Sequence, residues 1–141
     1  MFICFNKILF PGWLFLLYTN LPFMSKRILA VEDDPDILFI VEMILKEEGY
    51  EVYTSIDGKD ILLEVESVHP DLVVMDIRLP NADGRELCKD IKNCYHNLPV
   101  ILMSAHAEYS IILNEACADD FIAKPFDIVE FLDRIRMRLV A

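Results

Sequence analysis

Short apolar runs alternate with amphipathic stretches from residue 27 to the end of the chain. Four of these runs have strand length and no in/out alternation, which is typical of parallel strands covered on both faces. They are residues 28–31, 72–75, 100–103 and 121–123. A fifth run, residues 50–54, is more polar and predicts an edge strand. The pattern therefore predicts a five-stranded parallel sheet with a largely buried centre.

The amphipathic stretches predict five helices, and the first of them has clear capping signals at both ends. Asp34-Pro35 supplies an N-cap followed by proline at the first helical position, and Gly49 ends the helix. Its apolar residues have the spacing of one buried stripe: Ile37, Ile40, Val41, Ile44 and Leu45. The other helices are predicted at 57–68, 84–95, 108–116 (a weak pattern) and 127–140. Five β–α repeats with short connections predict an α/β fold, a right-handed, doubly wound sheet with helices on both faces.

Residues 1–23 differ in composition from the rest of the chain, because they are almost wholly apolar and carry one charge, Lys7. The run is interrupted by Pro11 and Pro22 and is a poor match to a membrane span of about 20 apolar residues. It is closer to a signal-peptide core, but no small-residue cleavage site precedes Met24. We expect an extension that is disordered or that precedes a true start at Met24, with a membrane anchor as the alternative. Residues 24–141 are then one domain.

The remainder of the chain is strongly acidic. Without Lys7, 12 basic side chains stand against 24 acidic ones, so the net charge of residues 24–141 is −12. Such a surface repels phosphate backbones, which argues against direct nucleic-acid binding and favours a Mg²⁺ site or a basic partner. The four cysteines form no CxxC pair, and Cys88 and Cys94 fall on different faces of one predicted helix. We expect reduced thiols and a cytoplasmic protein.

Polar side chains follow the predicted strands at their carboxyl ends, where ligands bind to doubly wound sheets. Residues 32–34 (Glu-Asp-Asp) follow the first strand, Asp76 the third, Ser104 the fourth and Lys124 the fifth. Crowded carboxylates repel one another unless a cation or a proton intervenes, and an all-oxygen set suits Mg²⁺. An ammonium and a hydroxyl supply what the oxygens of a transferred phosphoryl group need. Asp76, at the end of the central strand, is the natural nucleophile.

Four motifs carry a family resemblance. They are ILAVEDDPDIL (28–38), DLVVMDIRLP (71–80) followed by Asp83-Gly84, MSA (103–105) and ADDFIAKPFD (118–127). Each is weak alone, but the four in this order and at these spacings are specific, and they span about residues 26–140. The chain resembles bacterial two-component response regulators, as a stand-alone receiver domain of the chemotaxis-regulator-like type. The resemblance implies a flavodoxin-like sheet with strand order 2-1-3-4-5.

The resemblance also implies a metal site with four contributors. Asp33 would bind Mg²⁺ directly, and Glu32 would act through water. Asp76 would be both the phosphoacceptor and a metal ligand. Arg78 would offer its backbone carbonyl to the metal.

Three further residues receive roles from the resemblance. Ser104 matches the switch hydroxyl that bonds the phosphoryl group, and Lys124 matches the lysine that pairs with it. Phe121 matches the switch aromatic, whose rotamer reports the state of Ser104. The bond between Lys124 and Pro125 would be cis.

The implied function is phosphorelay signalling without an enzymatic role beyond self-phosphorylation from small phosphodonors and auto-dephosphorylation. The donor would be a phosphohistidine on a sensor histidine kinase or a histidine phosphotransfer protein, docked beside the first helix. The face formed by the fourth helix, fifth strand and fifth helix would then act on a separate downstream protein. A phosphorylation-dependent homodimer pairing Asp120 with Arg134 is a further expectation, and no membrane partner is expected.

Two rivals remain open at this level. An aspartate-nucleophile phosphatase of the haloacid dehalogenase type would place a second acid where Arg78 stands. A pseudo-receiver would act as an interaction module without phosphate, although the acceptor, the acids and the lysine are all present. In favour of the pseudo-receiver, the segment from Ser104 to Ala118 is shorter than is usual. Separately, Cys117 stands where the family usually has glycine, so the turn there must accept left-handed dihedrals or be remodelled, on the surface that normally transmits the signal.

Overall fold

The computed structural model describes residues 24–105 and 118–140. In order along the chain, the strands are β1 (Arg27–Val31), β2 (Glu51–Ser55), β3 (Leu72–Asp76), β4 (Arg78–Leu79), β5 (Ala82–Asp83), β6 (Val100–Ser104) and β7 (Asp120–Ala123). The helices are α1 (Pro35–Glu47), α2 (Ile61–Val68), α3 (Gly84–Cys94) and α4 (Ile128–Leu139). The expectations for residues 1–23, for the helix at 108–116 and for Cys117 lie outside the described residues.

Five strands form one parallel sheet in the order β2-β1-β3-β6-β7, while β4 and β5 form a separate antiparallel ribbon. Counted over the five sheet strands, this is the predicted order 2-1-3-4-5, and the predicted fold is confirmed. The more polar strand, β2, lies at an edge as expected. Among the described helices, none has both the length and the apolar composition needed to cross a bilayer.

The sheet is covered on both faces, which explains why the central strands show no alternation. All residues of β3 and β6 are buried. One face packs against α1 and α4 through a cluster that includes Leu72, Val74, Val41 and Phe131. The other face packs against α2 and α3 through a cluster that includes Val73, Met75, Val65, Cys88 and Ile91. Successive residues of β3 therefore enter different cores.

The predicted ends of the first helix are confirmed. The Asp34 carboxylate accepts hydrogen bonds from the amides of Asp36 (2.9 Å) and Ile37 (3.3 Å), and Pro35 is the first helical residue. Gly49 follows the helix with a φ of +90°, a conformation that favours glycine. Capping signals in the sequence were therefore sufficient to define α1.

The predicted buried stripe of α1 is wrong at Ile40. Leu38, Val41, Ile44 and Leu45 are buried, whereas Ile40 is 43% exposed. Because successive helical residues are rotated by roughly 100°, Ile40 lies beside the buried arc rather than within it. With Phe39 (65% exposed) and Met43 (44%), it forms an exposed apolar surface, the α1 strip.

The second helix is also shorter than predicted, since it begins at Ile61 and not at residue 57. Gly58 has a φ of +62°, which is incompatible with a right-handed helix. The amide of Ile61 donates to the carbonyl of Gly58 at 3.2 Å, so residues 57–60 form a turn that leads into α2.

Gly49→Ala is expected to lower the free energy of unfolding by about 1 kcal/mol, because an L side chain is strained at positive φ. No atom lies within 4 Å of the Cβ position, so the loss arises from the backbone conformation and not from a clash. Urea denaturation measures it. Glu47→Ala, on the exposed last turn of α1, is the control and should change stability by less than about 0.5 kcal/mol. Equal stabilities of the two variants would contradict the argument.

Candidate functional site

The predicted acidic residues meet at the carboxyl edge of the sheet. Val31 pairs with Met75, so Glu32, the next residue, stands level with Asp76 at the end of β3. Glu32, Asp33 and Asp76 each offer a carboxylate oxygen, and these oxygens lie within 4.8 Å of one another. Glu32 and Asp76 are buried, whereas Asp33 is exposed to solvent.

Lys124 supplies the counter-charge of this cluster. Its Nζ lies 2.5 Å from Oε2 of Glu32 and 3.1 Å from Oδ2 of Asp76. The side chains of Lys124, Glu32 and Asp76 are only 13%, 1% and 10% exposed, so the three charges are largely shielded from water. The Lys124 amide donates to the carbonyl of Ser104 at 2.8 Å, which fixes the lysine at the end of β7.

Burial and neighbouring charges act in opposite directions on the pKa values of Glu32 and Lys124. Burial raises the pKa of Glu32 above its ordinary value, because desolvation outweighs the hydrogen bond from Lys124. At Lys124, burial alone would lower the pKa, but hydrogen bonds to Glu32 and Asp76 and their charges prevail and raise it. The ammonium form of Lys124 is therefore strongly favoured while the carboxylates remain beside it.

Main-chain contacts hold both buried carboxylates in place. The Glu32 amide donates to the carbonyl of Ser55 at 3.0 Å. Oε1 of the Glu32 side chain accepts from the Asp34 amide at 3.1 Å. The Arg78 amide donates to Oδ1 of Asp76 at 3.3 Å. Each carboxylate therefore has one oxygen bonded to Lys124 and the other bonded to a backbone amide.

The remaining residues with predicted roles lie nearby. Ser104 ends β6 and is buried, and Phe121 is buried in β7, where it pairs in register with Leu102. The bond between Lys124 and Pro125 is cis, as predicted.

The pair Asp120–Arg134 is joined within one chain. Nη1 of Arg134 lies 2.7 Å from Oδ1 of Asp120, and Arg138 approaches Oδ2 at 3.3 Å. Asp120 begins β7 and so lies at the opposite end of the strand from Lys124. A contact between two copies would have to replace an ion pair that is already satisfied.

Sequence reasoning missed the contribution of Gly84. The sequence pattern indicates only a turn and a helix start at Asp83 and Gly84, and Asp83 does cap α3 by accepting from the Arg85 amide at 2.9 Å. However, Gly84 also contacts the backbone of Asp76, because a Cβ at Gly84 would lie 2.3 Å from the Asp76 carbonyl oxygen. The signal in the sequence was a glycine at the first turn of a helix, where it has no conformational advantage.

The donor set fits Mg²⁺. It consists of carboxylate oxygens only, and Mg²⁺ is held in proteins by one or two carboxylates together with water and phosphate oxygens. Exposure of Asp33 leaves room for those waters. Asp33 adds a solvent-exposed carboxylate to the two buried ones.

A family model confirms the reading of the motifs, since the model for the response regulator receiver domain matches residues 28–136. The chain belongs to this family. Its members are regulatory phosphoacceptor domains of two-component signalling systems.

Solved structures agree with this assignment of the receiver domain. A receiver domain protein from Methanospirillum hungatei JF-1 is 32% identical, with a TM-score of 0.77, and the match covers 82% of this chain and 94% of that one. The response regulator TrrA from Thermotoga maritima, in complex with Mg²⁺ and BeF, is 33% identical (TM-score 0.76; 82% and 100% covered). The signal receiver domain of a histidine kinase from Syntrophus aciditrophicus is 30% identical (TM-score 0.76; 82% and 91% covered).

Lys124→Met is expected to lower the free energy of unfolding by about 3 kcal/mol when Mg²⁺ is removed with a chelator, because it leaves two buried carboxylates without their cation. Urea denaturation measures the loss. The matched control is Lys26→Met, since Lys26 is 54% exposed and 3.9 Å from Asp71, and it should change stability by less than about 1 kcal/mol. A Lys124 variant as stable as the control would show that the buried ion pair contributes nothing.

Proposed function

We propose that this receiver domain accepts a phosphoryl group on Asp76 from a phosphohistidine. The donor would be a sensor histidine kinase or a histidine phosphotransfer protein. The observation that carries the proposal is the cluster in which Asp76 stands 3.1 Å from the ammonium of Lys124 and beside Glu32 and Asp33. A carboxylate that attacks an anionic phosphoryl group needs positive charge beside it, and this cluster offers both an ammonium and a set of carboxylates suited to a divalent metal.

Asp33 and Asp76 would hold Mg²⁺ directly, Glu32 would hold it through water, and Arg78 would contribute its backbone carbonyl. When bound, the ion neutralises negative charge on the carboxylate and on the incoming phosphoryl group. The Mg²⁺–BeF complex of the Thermotoga maritima relative supports this choice of metal. The Arg78 amide, bonded to Asp76 Oδ1, fixes the backbone from which that carbonyl projects.

The Asp76 carboxylate attacks phosphorus in line with the departing imidazole nitrogen of the donor. A bond forms between a carboxylate oxygen and phosphorus, the bond between phosphorus and nitrogen breaks, and the imidazole keeps the electron pair. The product is an acyl phosphate. The ammonium of Lys124 then pairs with one phosphoryl oxygen, and the Ser104 hydroxyl donates a hydrogen bond to another.

The same contacts explain how phosphorylation would change the shape of the domain. The carbonyl of Ser104 is bonded to the amide of Lys124, so β6 and β7 are tied together next to Asp76. Movement of Ser104 toward the phosphoryl group would be accompanied by repacking of Phe121, whose side chain is already buried in the core beside α2 and α3. The conformational equilibrium then shifts toward a state with an altered surface at β7 and α4, which are the predicted fifth strand and fifth helix.

The altered surface would act on a separate downstream protein or on a second copy of the chain. A homodimer through Asp120 and Arg134 requires the intrachain pair, at 2.7 Å, to be exchanged for an equivalent one between copies. Acceptance of a phosphoryl group from an ATP-dependent kinase places the domain in the cytoplasm under this proposal.

The donor would dock on the α1 strip. This strip consists of Phe39, Ile40 and Met43, which are exposed on one side of α1. The helix begins at Pro35, two residues after Asp33. Exposed apolar side chains grouped in this way are typical of protein–protein interfaces. A donor seated there brings its histidine to the edge of the sheet that carries Asp76.

Incubation with acetyl phosphate and Mg²⁺ is expected to add one phosphoryl group, observed by intact mass, and Asp76→Asn is expected to abolish the gain. Asp90→Asn is the matched control, because Asp90 is exposed on α3, away from the sheet edge. A gain that persists in Asp76→Asn would move the acceptor to another residue. No gain in the unmodified chain would favour the alternative function, a phosphorylation-independent pseudo-receiver that acts as an interaction module.

Phe39→Ser is expected to slow phosphotransfer from a phosphorylated histidine kinase by about tenfold, since an apolar anchor at an interface contributes about 1.4 kcal/mol or more. Its rate with acetyl phosphate should not change, because that donor needs no docking surface. Leu63→Ser is the control: Leu63 lies on α2 and is 64% exposed, against 65% for Phe39. Equal effects of the two variants on phosphotransfer would remove the α1 strip from the interface.

A further inference from the structure

The first residue of α3, Gly84, packs directly against the peptide group between Asp76 and Ile77. The Gly84 amide donates to the carbonyl of Ile77 at 2.7 Å. A Cβ built on Gly84 would lie 2.3 Å from the carbonyl oxygen of Asp76 and 2.8 Å from Cα of Ile77. Both are backbone atoms, which cannot rotate away as the end of a side chain can. Residue 84 therefore has room for hydrogen only.

We infer that Gly84 is a positioning residue for Asp76, which rests on the proposed phosphoacceptor function. The missing side chain lets α3 approach until the peptide between Asp76 and Ile77 has one allowed position. That peptide determines where the Asp76 carboxylate projects and where the carbonyl of Arg78 lies. Gly84 meets Asp76 and Ile77 only at their backbone atoms, and so it would act through the backbone and not as a ligand.

The peptide is held from the opposite side as well. The Ile77 amide donates to the carbonyl of Met103 at 3.0 Å, which extends the pairing of β3 with β6 one residue beyond Asp76. On the Gly84 side, Arg78 of β4 pairs with Asp83 of β5. This pairing limits the separation in space between Asp76 and the start of α3. The Asp76–Ile77 peptide is thus clamped between a strand and a helix.

The requirement for glycine at this position is one of space and not of conformation. Gly84 is the first residue of α3 and has no positive φ, unlike Gly49 and Gly58. Alanine at residue 84 would satisfy the helix but force α3 and the peptide apart. Since α3 is anchored by Cys88 and Ile91, both fully buried, the peptide must take up part of the displacement. A shift of about 1 Å at a reacting group can cost on the order of a hundredfold in rate.

The test compares Gly84→Ala with Gly49→Ala in the full chain. The second variant is also destabilised, but its strained backbone lies after α1 with no atom within 4 Å of the new Cβ. Three quantities are measured on each: the Kd of Mg²⁺ by calorimetry, the rate of phosphorylation by acetyl phosphate, and hydrogen exchange of the Ile77 amide. Urea denaturation provides the stability of both variants for comparison.

We expect Gly84→Ala to weaken Mg²⁺ binding and slow phosphorylation by about tenfold or more, and to expose the Ile77 amide to exchange. Gly49→Ala should retain the wild-type Kd and rate. A folded Gly84→Ala protein with the wild-type Kd, rate and exchange would overturn the inference. So would equal losses in both variants, which would indicate a general effect of stability.

Two further outcomes are separable. If the unmodified chain takes up no phosphoryl group, the proposed function fails, and the Mg²⁺ Kd and the Ile77 exchange alone decide the role of Gly84. If Gly84→Ala is unfolded, trimethylamine N-oxide, which favours the compact state, is added to all samples. A variant that remains unfolded even then would overturn the inference, because Gly84 would be a requirement of the fold and not of the site.

Discussion

The ammonium of Lys124, shared between two buried carboxylates, is the interaction on which the site depends. Glu32 and Asp76 are both withdrawn from water, and two such charges side by side would repel each other without a cation. One ammonium cannot fully neutralise them together with the nearby Asp33, so the edge keeps an excess of negative charge. Such an excess favours a divalent cation under the proposed function, while the hydrogen bonds of Lys124 to both carboxylates offset part of their repulsion. The residual negative charge is thus a cost to the unliganded domain that a bound metal would relieve.

The sheet makes this arrangement compatible with a dense core. Both faces of β3 are covered by helices, so its side chains are apolar until the strand ends at Asp76. Parallel pairing brings the ends of β1, β3, β6 and β7 to one edge, where polar side chains meet without crossing the core. The backbone contributes as much as the side chains: amides of Asp34 and Arg78 bond the carboxylates, and Gly84 presses against the peptide after Asp76.

The sequence was sufficient wherever a feature depended on local pattern. Continuous apolar runs identified the buried strands, the polar run identified β2 as an edge, and Asp34, Pro35 and Gly49 defined the ends of α1. It failed where a feature depended on the angle at which elements pack. Ile40 was placed in the core because its spacing is helical, but the arc of α1 that faces the sheet excludes it. The intrachain pair of Asp120 with Arg134 and the contact of Gly84 with Asp76 join residues that no local pattern connects. The roles of the site residues came from motif resemblance, and their proximity came from the structure.

The two arginines of α4 that bind Asp120 have a mechanical consequence. Asp120 immediately precedes Phe121, and its carboxylate holds Arg134 and Arg138, which are one helical turn apart. Strand β7 and helix α4 are therefore fastened together at the end of the strand remote from Lys124, in addition to their connection beside it. Because β7 and α4 are held together at both ends of the strand, we expect them to move as one rigid unit and not to deform separately. Under the proposed switch, a displacement of Phe121 would therefore be transmitted to α4, on which Val129 and Met137 are exposed.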